Sequence, residues 1–121
     1  MYVKFLLIGA LLASAGSAWA HDVKARNGGR ITDAGAYHLE LVVKSDTIDV
    51  FISDQSEKLV SASGFKGVAI LLAGGKSHRV VLAPVEGTRL SGSATAALPN
   101  QPKGVVQLTA PDGRTSQAKF D

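Results

Sequence analysis

Residues 36–44 read AYHLELVVK. In an extended chain Tyr37, Leu39, Leu41 and Val43 fall on one side, and His38, Glu40, Val42 and Lys44 on the other. Successive side chains of a β-strand point to opposite faces, so this alternation has a strand's period. It predicts a half-buried strand with one face in water, as antiparallel sheets have. Beyond residue 20 no 3.6-residue repeat of an amphipathic helix persists.

Working outward, Ser45-Asp46 is a tight turn. TIDVFIS at 47–53 puts Ile48, Val50 and Ile52 on one face and Asp49, Phe51 and Ser53 on the other. Upstream, Gly28-Gly29 opens the domain, Arg30 to Asp33 is a short strand, and Ala34-Gly35 a turn. Downstream, Asp54 to Glu57 is polar and turn-like, and Lys58 to Ala62 is a candidate strand. Val68 to Ala73 is continuously apolar, which predicts the most buried strand. Gly74-Gly75 makes a hairpin turn, because positive φ costs glycine little. Ser77 to Val85 pairs back, with Pro84 marking an edge position or a strand end. Thr88 to Thr95 is a small-residue strand, and Pro99 to Pro102 a loop. Gly104–Ala110 and Arg114–Phe120 form a last hairpin around Pro111-Asp112-Gly113. Seven or eight short strands and no helix predict an all-β chain. The expected architecture is an antiparallel two-sheet sandwich of immunoglobulin-like type, with a small barrel as the alternative. Leu39, Leu41, Ile48, Val50, Ile70 and Val81 are the expected core, the alternative for Val81 being a partly exposed edge position.

The first residues, MYVKFLLIGALLASAGSAWA, follow another logic. Lys4 precedes an apolar run from Phe5 to about Ala13, too short for the roughly 20 residues of a membrane span. Ala18-Trp19-Ala20 then has the small-x-small form of a signal-peptidase site. The expected organisation is a cleaved signal peptide at 1–20, a flexible arm at 21–28 and the β-domain at 29–121, with no membrane span after cleavage. The absence of cysteine excludes a lipoprotein anchor, disulfides and thiolate metal sites. The exported domain therefore has to fold on its core alone. With Lys4 gone, 12 of the 13 Lys and Arg remain against 10 Asp and Glu, in no basic run. Neither a basic patch nor a nucleic-acid-binding module is visible.

Catalytic constellations are missing. There is no G-x-S-x-G, no cysteine nucleophile and no phosphate loop. Gly74-Gly75-Lys76-Ser77 lacks the first glycine of such a loop and reads as a hairpin. Asp46 and Asp49 read as solvated charge. The chain is thus expected not to be an enzyme. The three histidines, His21, His38 and His78, carry the most chemistry. Cleavage after Ala20 makes His21 the amino terminus, where amine and imidazole chelate one metal together. A second imidazole completes a donor set suited to Cu(II), with Asp22 as a further oxygen ligand. The plain alternatives are a solvated end for His21, a surface position for His38 and a hairpin top for His78.

Gly28-Gly29, Ala34 to Val43, Gly74 to Pro84 and the RLSGSATA stretch from Arg89 together resemble a family of small periplasmic β-domains associated with heavy-metal efflux. Such domains occur alone or at the amino-terminal end of efflux adaptor (membrane-fusion) proteins. The resemblance implies a periplasmic binding protein of copper or divalent-metal homeostasis, with efflux-system proteins as partners. Tyr37-His38 matches the family pattern. A histidine usually precedes the paired glycines, and here that position is Asn27. His21 replaces it only if the arm folds back. The other reading is a metal-free interaction module acting through a sheet edge or an exposed sheet face.

Overall fold

The computed structural model describes residues 24–121, so the expected signal peptide, His21 and Asp22 lie outside the described residues. Eight strands follow in chain order: β1 Arg30–Ala34, β2 Tyr37–Lys44, β3 Thr47–Ser53, β4 Lys66–Ala73, β5 Lys76–Val85, β6 Arg89–Ser93, β7 Lys103–Thr109 and β8 Thr115–Phe120. All neighbouring pairs are antiparallel, and no helix occurs among the described residues. Lys58 to Ala62 contributes only an isolated bridge between Ser53 and Leu59.

The strands lie in the order β1-β2-β3-β6-β5-β4-β7-β8. Strands β4, β5 and β6 are joined by hairpins, and β7 returns beside β4, which is a Greek key. The wall curls until it is nearly closed, barrel-like, and is not clearly divided into two sheets. β5 makes this possible. Gly67 to Ala73 pair with its first part, and Arg89 to Ser91 with its end at Ala83 to Val85. Pro84, which donates no ladder bond, sits past the last residue paired to β4. Gly92 lets β6 cross close to β5, since a Cβ there would meet the Val81 carbonyl oxygen at 2.5 Å.

β1 and β8 face each other across a seam without a shared ladder. Arg30 spans it. Its guanidinium lies 5.4 Å from the Phe120 ring centroid and donates to the Pro102 and Asp121 carbonyls. Burial lowers the pKa of Arg30 from its ordinary value, as desolvation of a cation does. At one end of the barrel Ala94 and Leu98 donate their amides to the Asp46 and Ser45 carbonyls, which holds buried Leu98 over the core.

Leu39, Leu41, Ile48 and Val50 are buried as expected. Ile70 and Val81 are not. In β4 the inward positions belong to Gly67, Ala69 and Leu71, and Val68, Ile70 and Leu72 turn out. In β5 Val80 and Leu82 turn in, and Val81 is 64% exposed. The run 68–73 is therefore an alternating, half-exposed strand rather than the most buried one. β2 departs the other way: His38, Glu40 and Val42 are buried on the face expected to be wet.

Candidate functional site

The reason for that burial is the chain before β1. Glu40 stands on the outer side of β2, opposite Ile31 of β1 and Phe51 of β3. Its carboxylate accepts amide hydrogens from Arg26 at 3.1 Å and from Asn27 and Gly29 at 2.9 Å, and the Asn27 side-chain amide at 3.0 Å. A cradle of backbone N–H groups is an anion site, and here the anion is the protein's own. Gly29 has to lack a side chain, because a Cβ would run into the Leu41 carbonyl. Arg26 also donates to the Glu57 carbonyl, tying the arm to the loop after β3. Asn27 is thus a clamp residue.

His38 is buried, and its Nδ1 lies 2.6 Å from the Asp33 carboxylate of β1, off the direction of an aligned hydrogen bond. Asp33 itself is exposed. His78 lies on β5 opposite Leu71 and shares that residue's inward side. His38 shares the outward side of Glu40. The two imidazoles therefore leave the barrel wall in opposite directions, and the structure does not bring them together. Among the described residues no three His, Cys, Asp or Glu side chains are placed to hold a metal. Among the described residues His38 is the one expected donor with a neighbouring carboxylate, and that described donor set does not by itself fit a metal ion. Of the carboxylates read as solvated, Asp46 is exposed and Asp49 is half-buried against Arg89, 3.2 Å away.

The outer face of β5-β4-β7-β8 is the opposite case. Register sets Val81 beside Val68, and Val68 beside Gln107. The next row runs Arg79, Ile70, Val105, Lys119. Leu72, 47% exposed, stands between Ser77 and Lys103. Lys66 lies at the end of β4. Four cations and no carboxylate point outward from these strands. At one edge Phe65, Gly67, Val68, Val81 and Pro84 line a shallow apolar hollow beside Arg79. The sequence reading missed this face because it placed Ile70 and Val81 inside. It also missed Glu40, whose partners lie 11 to 14 residues away and leave no local signal.

Comparison with protein-family profiles, with curated proteins and with solved structures finds no match for this chain.

Proposed function

We propose that this chain is a non-catalytic binding domain, exported by its cleaved first 20 residues to the periplasm. It works by presenting the outer face of β5-β4-β7-β8 to a protein partner in a heavy-metal efflux setting. One observation carries the reading: an aliphatic surface, with Val81 64% and Leu72 47% exposed, framed by cations and by no acid from its own strands. Isolated exposed apolar side chains are ordinary, but a contiguous patch rimmed by polar residues marks an interaction site. The efflux setting and the periplasm rest on the resemblance alone. Photo-crosslinking in the host tests the face. A photoreactive residue at Val81 or Ile70 should give adducts of defined mass, and one at Lys44 or Asp33 on the other wall should not. Equal adducts from both walls, or none from either, would overturn it.

A second reading is favoured by the arm. Lys24 and Ser53 border one crevice, and Ser53 is paired with His38. Three extended residues span roughly 10 Å, so an arm leading back from Lys24 has the length to carry His21 to that end of β2. The amine and imidazole of His21 with His38 would then suit Cu(II), with Asp22 as an added donor. The test compares chains that begin at His21 with chains carrying one extra residue ahead of it. The extra residue converts the amine to an amide. Unequal Cu(II) affinity in competition with a chelator supports the chelate, and equal affinity rules it out.

A further inference from the structure

The framing charges of the bare face say what kind of partner it fits. Arg79 and Lys119 stand at the two ends of one row, three strand steps apart across β5, β4, β7 and β8. Strands lie about 4.8 Å apart, so that row is about 14 Å long. Between its ends lie only Ile70 and Val105. In an extended peptide, residues four apart are also separated by about 13–14 Å, and the residue midway projects to the same side as both. A segment with carboxylates at its first and fifth positions and an aliphatic side chain at its third therefore matches the row in charge, order and length.

We propose, resting on the binding-face reading above, that the partner docks on β5-β4-β7-β8 through an extended acidic segment of the form acid-x-aliphatic-x-acid, its carboxylates on Arg79 and Lys119. The hollow between Val81 and Pro84 takes a further apolar side chain from the same segment. Arg79 has no ion-pair partner among the described residues. Lys119 has only Asp121, at 3.7 Å with both side chains exposed, a contact an incoming carboxylate displaces at little cost. Other occupants fit less well. Single-stranded nucleic acid stacks its bases on aromatic rings, and no aromatic side chain points outward from these strands. A bilayer surface has no use for a hollow, and its interfacial anchors Trp and Tyr are absent from the face.

The probe is a synthetic peptide with an Asp-Ser-Leu-Thr-Asp centre, titrated into the isotope-labelled chain as exported, to about 1 mM, a range that detects weak binding. Amide shifts should move at Val68, Ile70, Val81 and Val105 and stay still at Glu40 and Phe51. The same peptide with Asn for both Asp should bind at least about tenfold more weakly, and added salt should weaken the acidic peptide alone. Arg79→Glu with Lys119→Glu should lose the acidic peptide and gain one with Lys in place of Asp. That exchange separates lost complementarity from a lost fold. Absence of these shifts, equal binding of the Asn peptide, or failure of the exchange would overturn the proposal. So would shifts at the same amides with phosphatidylglycerol vesicles but not with the peptide, or with rising protein concentration alone. Those results assign the face to lipid or to a second copy. A Val81 adduct to a partner lacking such a segment would sink the acidic segment while leaving the binding face intact.

Discussion

The two outer walls of the barrel share one pattern of alternation and receive opposite treatment. On β1-β2-β3, Glu40 is 5% exposed because chain from outside the barrel brings amide donors to it. On β5-β4-β7-β8, Val81 remains 64% exposed because no described segment crosses it. The apolar wall is the open one and the wall holding a carboxylate is the closed one, the reverse of what residue polarity suggests. Burial of a polar group depends on whether the chain supplies partners, since an unpaired buried carboxylate is costly and a paired one is tolerable. Exposure of an apolar group depends on whether anything in the chain is left to cover it.

The largest effect should separate the inside of β4 from its outside. Leu71→Ala should cost about 2–5 kcal/mol in chemical denaturation, the range for a buried leucine. Its neighbour Leu72→Ala should cost less than about 1 kcal/mol. Equal losses would mean that the bare wall is covered in solution. Next in size, Glu40→Ala should cost about 2–3 kcal/mol, because several partly buried N–H groups lose a charged acceptor together. Glu40→Gln keeps one acceptor oxygen and should lose less. Hydrogen exchange at Asn27 and Gly29 should accelerate in both variants, and unchanged protection there would show that the arm is held by something else. Arg89→Ala removes the ion pair with Asp49, which is half-buried at 3.2 Å, and should cost about 1 kcal/mol or less. The smallest effect belongs to Val81→Thr, which should leave the denaturation midpoint within about 0.5 kcal/mol of the parent while weakening the acidic peptide.

These contrasts mark how far the sequence could be read. The strands at 37–44 and 47–53, their turn and the final hairpin were legible because alternation and Ser45-Asp46 or Pro111-Asp112-Gly113 are local signals. The hairpin at Gly74-Gly75 was legible for the same reason, and both glycines have the positive φ it requires. The facing of β4 was not. A run such as VAILLA is apolar at both parities, so nothing in it says that Gly67, Ala69 and Leu71 are the inward set. Strand order was illegible too, and with it the barrel-like closure, since pairing of β3 with β6 depends on no adjacent residues. The histidines were legible as chemistry but not as geometry. Residue type says what His38 and His78 can donate, and only the register puts them on opposite sides of the wall.

The seam at Arg30 has a consequence for how the chain can be rewired. The guanidinium of Arg30 in the first strand touches the Phe120 ring of the last strand and the Asp121 carbonyl just after it, so the first and last strands are neighbours. A few flexible residues joining Asp121 to Arg30 would close the polypeptide into a ring without moving a strand. Cutting that ring between Gly74 and Gly75, where the chain is exposed, would yield a circular permutant whose new ends emerge at the β4–β5 turn. The arm at 24–29 would lose its covalent lead into β1 in such a molecule. Supplied separately as a peptide, it would have only the Glu40 cradle to hold it, and its affinity would measure that clamp apart from the barrel.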